Sequence, residues 1–137
     1  MIRWGGEEFL VVSKNVCHEN YTILLERIRQ AVEKKQFDIG KESPVQLTCS
    51  IGAAAFPFLT NYPEMLSWDR IVEVADACLY AVKRSGRNAW IAINSTDLAS
   101  SNDIKHDLAK DLPGLINDGK LEIITSLKEN IVVCWAY

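Results

Sequence analysis

The alternation of apolar and polar residues predicts that the chain opens with a β-hairpin. Two short extended segments, residues 2–4 and 9–12, flank the sequence Gly5-Gly6-Glu7-Glu8. A pair of glycines between two apolar runs is a strong signal for a tight turn, because glycine adopts positive φ angles at little cost. The predicted turn therefore carries two adjacent carboxylates.

A helical pattern and then an alternating pattern follow the hairpin. From residue 20 to about residue 36, apolar residues recur at helical spacing and charged residues fill much of the remainder, which predicts an amphipathic helix. Residues 45–51 alternate apolar with polar side chains, a period typical of a half-buried strand. Gly52 ends that strand and predicts a bend or bulge before residues 53–56.

A second amphipathic helix has sequence signals at both of its ends. Ser67 is a candidate N-cap. Lys83 and Arg84 fall in the last turn and Gly86 follows it, as helix C-termini favour. A short strand is predicted at residues 89–93. The apolar face of the helix consists of Ile71, Val74, Ala75, Cys78 and Val82.

A polar, turn-forming stretch near residue 94 separates this pattern from the C-terminal segment. Residues 1–93 carry no net charge, whereas residues 94–137 carry a net charge of −3. We expect two units, residues 1–94 and an extension, residues 95–137. In the extension, a turn at Asp118-Gly119 predicts two strands, residues 121–124 and 131–137. The apolar residues before that turn predict a helix interrupted near Pro113-Gly114: Ile104, Leu108, Leu112 and Leu115.

Composition narrows the possible classes of protein. The 137 residues are 48% hydrophobic and 24% charged, which is ordinary for a globular domain. A net charge of −3 provides no electrostatic footprint for nucleic acid or for an anionic membrane surface. The four cysteines form no CxxC pair, so the sequence indicates neither a zinc site nor a redox motif. These patterns favour an α/β or α+β domain with buried thiols.

Three blocks of the sequence resemble GGDEF domains, the diguanylate cyclases that join two GTP molecules into cyclic di-GMP. The first block is Arg3-Trp4-Gly5-Gly6-Glu7-Glu8-Phe9, and the second is Leu47-Thr48-Cys49-Ser50-Ile51-Gly52. The third runs from Ala75-Asp76-Ala77-Cys78-Leu79-Tyr80-Ala81-Val82-Lys83 to Gly86-Arg87-Asn88. The resemblance implies an α+β fold with an antiparallel sheet and packed helices, in a ferredoxin-like arrangement shared with nucleotide cyclases.

The resemblance covers the C-terminal portion of such a domain. In the family, a first strand with a metal-binding Asp and two helices that read the guanine precede the hairpin, and an inhibitory RxxD motif lies just upstream of it. We therefore expect this chain to be an inactive part of an active cyclase. Without the preceding elements, a sheet edge and an apolar face would be exposed. Homodimerisation, strand exchange or the C-terminal extension would cover them.

The resemblance also implies roles for the residues of the hairpin turn. Gly5 and Gly6 would let the backbone approach a nucleotide. Glu7 would bind Mg²⁺ or Mn²⁺ and help to deprotonate the attacking 3′-hydroxyl, and Glu8 would belong to the same catalytic site. The alternative for both glutamates is exposure to solvent, because successive strand residues point to opposite faces and cannot easily serve one ion.

Three basic residues complete the candidate site. The resemblance implies that Lys83 and Arg87 contact phosphates, and the alternative is that they complement the dipole of the helix C-terminus. Arg27 matches an arginine that some family members use at an inhibitory cyclic di-GMP surface, and the alternative is a charge on a solvated helix face. Trp4, Tyr80 and Trp90 could stack on bases, but their positions favour packing in the core or sheet.

The implied partners are GTP and cyclic di-GMP, with no nucleic acid and no membrane contact from this chain. The implied use of GTP places the protein in the cytoplasm. The alternative function is a non-enzymatic nucleotide-binding, dimerisation or interaction module.

Overall fold

The computed structural model describes residues 1–14, 16, 20–108 and 111–127. Within these residues, strands and helices alternate through most of the chain, and no helix combines the length and apolarity needed to cross a bilayer. The elements in order are β1 (Ile2–Gly5), β2 (Glu8–Leu10), α1 (Tyr21–Lys34), β3 (Gln36–Phe37), β4 (Val45–Gln46), β5 (Ile51–Ala54), α2 (Trp68–Arg84), β6 (Trp90–Ser95), α3 (Ser101–Asp107), α4 (Leu112–Asn117) and β7 (Leu121–Thr125).

The predicted hairpin at the start of the chain is confirmed. Strands β1 and β2 are antiparallel, and the pair Gly5 and Glu8 closes a turn formed by Gly6 and Glu7. Gly6 has a φ angle of +52°, a backbone conformation that residues other than glycine adopt only with strain. The second strand ends at Leu10, earlier than the pattern predicts.

The central sheet has three strands in the order β5-β6-β7. β5 and β6 are parallel and are joined by α2, so they form a β-α-β unit, while β7 is antiparallel to β6. Ile91 and Ile93 of β6 belong to the main core with α2, whereas Trp90 and Ala92 pack with Leu25 of α1. Because alternate strand residues face opposite sides, α1 and α2 cover the two faces of the sheet. The predicted α+β class is confirmed, with a mixed central sheet.

The prediction of one strand over residues 45–51 is wrong. Residues 45–46 form β4 and pair with β3, whereas the central sheet takes Ile51–Ala54 as β5. Gly52 lies inside β5 instead of ending a strand. A Cβ atom at Gly52 would collide with the carbonyl oxygen of Ala75 and the backbone nitrogen of Leu79. Gly52 is therefore the point at which the backbones of β5 and α2 approach each other.

The C-terminal extension packs into the main core. The predicted single interrupted helix is wrong, because two helices form: Ser100 and Asp103 make a reciprocal capping box at α3, and the Asp111 side chain caps α4. The predicted strand at residues 121–124 is confirmed as β7, and the one at residues 131–137 lies outside the described residues. The division near residue 94 stays a prediction. The extension contributes Ile104, Leu108, Leu112, Leu115 and Leu121 to the core that also holds α2 and β6.

The close contact at Gly52 predicts that adding a single methyl group there lowers the stability of the fold. Gly52→Ala should lower the free energy of unfolding by about 1–3 kcal/mol or more, because neither backbone can move away without repacking α2. Gly5→Ala is the matched control, since a Cβ at Gly5 has no neighbour within 4 Å. Chemical denaturation of both variants measures the difference. Equal midpoints for Gly52→Ala and the unchanged chain would contradict the close approach.

The packing of the extension predicts that its apolar residues stabilise the whole chain. Leu112 is 1% exposed in the main core, whereas Leu98 is 71% exposed. We expect Leu112→Ala to cost about 2–5 kcal/mol of unfolding free energy, as truncation of a buried leucine does, and Leu98→Ala to cost little. Thermal melts followed by circular dichroism measure both. A Leu112→Ala melt in which only part of the signal is lost early would show that the extension unfolds separately.

Candidate functional site

The hairpin turn presents its carboxylates on an exposed loop held by an arginine. Arg3 donates from Nε and Nη2 to the carbonyl oxygen of Gly6, at 3.0 and 2.8 Å. Glu7 is exposed at the turn, and Glu8 is half-buried on β2. Within 4 Å, a Cβ at Gly5 or Gly6 would meet no atom. The turn therefore offers an open surface of backbone and the carboxylate of Glu7, which forms no ion pair with any residue that the structure describes.

An ion pair connects this turn to the end of α2. Lys83 Nζ lies 2.6 Å from Glu8 Oε1, and the two side chains are 37% and 42% exposed. A lysine ammonium group has three donors, so a second acceptor can bind Lys83 while the contact with Glu8 persists. Of the predicted site residues, the structure thus brings Gly5, Gly6, Glu7, Glu8 and Lys83 to one place.

The chain after α2 forms a tight turn that carries Arg87. Ser85 donates its backbone N–H to the carbonyl oxygen of Ala81, and Arg87 donates to that of Val82 at 3.1 Å. With Gly86 at a φ angle of +108°, this is a Schellman-type helix end, as the sequence predicts. Arg87 is exposed and has a φ angle of +62°. Lys83 therefore lies in the last turn of α2, whereas Arg87 lies beyond the end of the helix.

The carboxylates of the turn fit a divalent cation only as part of a larger ligand set. Among the described residues, no group of three or more His, Cys, Asp or Glu side chains is arranged to hold a metal ion. Glu8 pairs with Lys83, so Glu7 is the carboxylate of the turn that has no ion-pair partner in the described part of the chain. Mg²⁺ is commonly bound by one or two carboxylates together with phosphate oxygens and water. Glu7 suits an ion of that kind, brought in with a phosphate-bearing ligand.

Comparison with known proteins decides the family. Residues 1–89 match the family described as "Diguanylate cyclase, GGDEF domain". The chain belongs to the GGDEF family. It is 35% identical over 88 residues to "Diguanylate cyclase DosC" of Escherichia coli K12, a match that covers 64% of this chain and 18% of that protein.

Two further relatives of this GGDEF chain match over the same extent. "Diguanylate cyclase A" of Treponema denticola is 40% identical over 88 residues, covering 63% of the chain and 22% of the relative. "Diguanylate cyclase DgcP" of Pseudomonas aeruginosa is 37% identical over 86 residues, and the match covers 63% of the chain and 12% of the relative. The chain thus spans about a fifth or less of the length of these relatives. No solved structure matches it.

Arg27 of the GGDEF chain lies apart from the hairpin turn. It is exposed on α1 and lines a shallow groove with Thr22, Gln30 and Trp90, and no residue of the turn lines that groove. The expectation that the three aromatic residues pack in the core or sheet is confirmed for Trp90, which is 7% exposed on β6. Trp4 lies on strand β1 but is 61% exposed, and Tyr80, on α2, is 43% exposed and lies outside the core.

A polar network that was not predicted from the sequence joins α1 to the turn after α2. Arg29 binds Glu26 through Nε and Nη2, at 3.0 and 2.7 Å, and binds Glu33 through Nη1 at 3.1 Å. The side chain of Asn88 accepts a hydrogen bond from Arg29 and donates one to Glu33. The indole N–H of Trp90 donates to Glu26 at 2.9 Å. The spacing of Glu26, Arg29 and Glu33 on one helix was the available signal.

The network shifts the pKa values of its acidic members. Hydrogen bonding to Arg29, with Gln30 and Trp90 adding to it, lowers the pKa of Glu26 from 4.5 to about 2. Hydrogen bonds from Asn88 and then Arg29 lower the pKa of Glu33. The same contacts, led by the one to Glu26, raise the pKa of Arg29. Each group is held in its charged form.

The lowered pKa of Glu26 predicts an acid-dependent loss of stability. A carboxylate that binds protons less readily when folded stabilises the fold above its unfolded pKa, and that stabilisation disappears as the pH falls through the folded pKa. The unfolding free energies of the unchanged chain and of Glu26→Gln should therefore differ most above pH 4.5 and converge as the pH approaches about 2. Urea denaturation across this range measures the difference. A difference independent of pH would contradict the charged network.

Proposed function

We propose that this chain contributes the metal- and phosphate-binding side of a diguanylate cyclase site. In the proposed reaction, the 3′-oxygen of one GTP loses its proton and forms a bond to the α-phosphorus of a second GTP. The bond between the α-phosphorus and the bridging oxygen breaks, and pyrophosphate leaves. In a second step of the same kind, the 3′-oxygen of the second nucleotide loses its proton and bonds to the α-phosphorus of the first, a second pyrophosphate leaves, and cyclic di-GMP is formed. The observation that supports this function is the ion pair of Glu8 and Lys83, which joins the GGEEF turn to the helix end that carries Arg87.

The turn residues would bind and orient the nucleotide. The open space beside Gly5 and Gly6 leaves room for a ligand against the backbone. Glu7 would hold Mg²⁺ or Mn²⁺, and its carboxylate is suited to accept the proton of the 3′-hydroxyl. Glu8 would fix the position of Lys83. The divalent ion, when bound, would offset the negative charge of the triphosphate.

The two basic residues would neutralise the leaving pyrophosphate. Lys83 has donors that Glu8 does not use, and within the described part of the chain Arg87 forms no ion pair with an acidic side chain. A guanidinium group binds phosphate oxygens through two parallel N–H groups, whereas an ammonium group acts as a point charge. Positioning and charge neutralisation of this kind account for most of the catalysis of phosphoryl transfer. The use of GTP would place the reaction in the cytoplasm.

Substitution of Glu7 tests this function. We expect the chain to bind GTP in the presence of Mg²⁺, and Glu7→Ala to weaken that binding by about tenfold or more, because the ion loses its protein carboxylate. Glu42→Ala, which removes an exposed glutamate of the loop between β3 and β4, is the matched control. Isothermal titration calorimetry measures binding, and chromatography measures cyclic di-GMP. Equal binding by Glu7→Ala would refute the role of the turn. Binding without product would agree with the expectation that this chain is an inactive part of a cyclase, and equally with a non-enzymatic nucleotide-binding module.

A dimerisation module is the second candidate, and the hairpin surface favours it. Ile2, Trp4 and Phe9 are 60%, 61% and 58% exposed. Within the described chain, β5 is an edge strand of the central sheet, and an unpaired edge can pair with another strand. An isolated two-stranded hairpin is marginally stable, so burial against a second copy of the chain would stabilise it.

Self-association is expected at micromolar concentration. Trp4→Ser should weaken it, whereas Ile39→Ser should not, because Ile39 is 52% exposed but lies on the loop between β3 and β4. Light scattering coupled to size-exclusion chromatography measures the mass. A monomer with a cooperative melt would contradict the dimer.

A further inference from the structure

The turn after α2 holds two residues in a conformation that their side chains disfavour. Arg87 and Asn88 have φ angles of +62° and +48°. Such angles are uncommon for residues other than glycine, although asparagine tolerates them better than most. Two successive left-handed residues persist only when the surroundings fix them. Something outside the turn must therefore hold it.

The side chain of Asn88 is bound at both of its ends by α1. Its Oδ1 accepts from Arg29 Nη1 at 3.0 Å, and its Nδ2 donates to Glu33 Oε1 at 2.7 Å. Because an amide has one accepting and one donating end, this pair of contacts specifies its orientation as well as its position. The two helix residues thus act as a clamp on Asn88.

Arg29 is itself fixed, so the clamp is rigid. The Arg29 side chain is 14% exposed and makes four hydrogen bonds, to Glu26, Glu33 and Asn88. Glu26 is anchored in turn by the indole N–H of Trp90, which is 7% exposed at the start of β6. The network therefore contacts the chain on both sides of the buried Ala89.

Arg87 lies between this clamp and the end of α2. Its backbone N–H binds the carbonyl oxygen of Val82 at 3.1 Å, and the next residue is the clamped Asn88. Its side chain is exposed. The backbone of Arg87 is thus fixed on both sides, while the residue itself is exposed to solvent.

We propose that Glu26, Arg29, Glu33 and Asn88 are positioning residues that hold the turn carrying Arg87 in the geometry that receives a nucleotide phosphate. This inference rests on the proposed function, in which Arg87 binds phosphate. The four residues do not touch the nucleotide and act through Arg87. Their contribution is to remove conformational freedom from Arg87 before the ligand arrives, which increases affinity without a new contact.

Three variants separate positioning from general stability. Arg29→Met removes the Arg29 contact of the clamp and also the ion pair between Arg29 and Glu33, the second residue of the clamp. Asn88→Gly removes the clamped amide but accommodates the left-handed backbone, so it remains informative if Arg29→Met does not fold. Arg70→Met is the matched control, because Arg70 forms an exposed ion pair with Glu73 on the surface of α2.

The first readout is the backbone conformation of the turn in the absence of nucleotide. Three-bond HN–Hα couplings and Cα chemical shifts of residues 87 and 88 report left-handed geometry by NMR. We expect Arg29→Met to move both residues away from left-handed values, and Arg70→Met to leave them unchanged. Left-handed values that persist in Arg29→Met would overturn the proposal, whatever the nucleotide affinity.

The second readout is a double-mutant cycle on GTP affinity with Mg²⁺. Arg29→Met alone should weaken binding by about tenfold, because a displaced Arg87 loses its alignment. In an Arg87→Met background, Arg29→Met should have no further effect, since the residue it positions is absent. Losses that multiply independently would overturn the proposal, because they would show a merely structural role. If the unchanged chain binds no GTP while its turn depends on Arg29, the proposed function fails and the clamp on the turn is supported.

Discussion

The close contact between the backbones of β5 and α2 at Gly52 determines the arrangement of the rest of the structure. Only a residue without a Cβ atom leaves room there for the carbonyl oxygen of Ala75 and the nitrogen of Leu79. With that distance fixed, the buried face of α2 packs on β6. Cys78 and Val82 of that helix face are 0% exposed. The helix C-terminus is thereby placed where Lys83 meets Glu8 of the hairpin.

The two halves of the candidate site are held with very different rigidity. The hairpin is connected to α2 by the ion pair of Glu8 and Lys83, whose side chains are each more than a third exposed. Exposed pairs of this kind contribute about 0–1 kcal/mol, so the contact orients the turn more than it stabilises it. The turn that carries Arg87 is instead fixed by a helix end and by α1. In the proposed cyclase site, the phosphate-binding side is thus preorganised, and the carboxylates of the hairpin can adjust.

Local signals in the sequence were sufficient for much of the fold. The glycine pair predicted the hairpin, and the cap Ser67 with Gly86 predicted both ends of α2. The predictions failed where distant residues decide the outcome. The strand over residues 45–51 is divided because β4 pairs with β3 while β5 joins the central sheet. Period-two alternation gives no indication of which partner each half takes.

The same reasoning explains why the network around Arg29 was missed. Glu26 and Glu33 are near Arg29 in sequence, but Asn88 is 59 residues away and reaches it only through the packing of α1 on the sheet. The sequence placed Asn88 in the Gly86-Arg87-Asn88 motif, but it gave no indication that Asn88 contacts Arg29 and Glu33. Roles that depend on one element packing against another require the folded structure.

The central claim is that a nucleotide binds where the hairpin turn meets the end of α2. Titration of the isotope-labelled chain with GTP and Mg²⁺, followed by amide NMR spectra, tests it most directly. The account predicts that the largest shifts occur at residues 5–8 and 83–88, with small changes in α3 and α4. Shifts centred on the groove around Arg27, or no shifts at all, would contradict it.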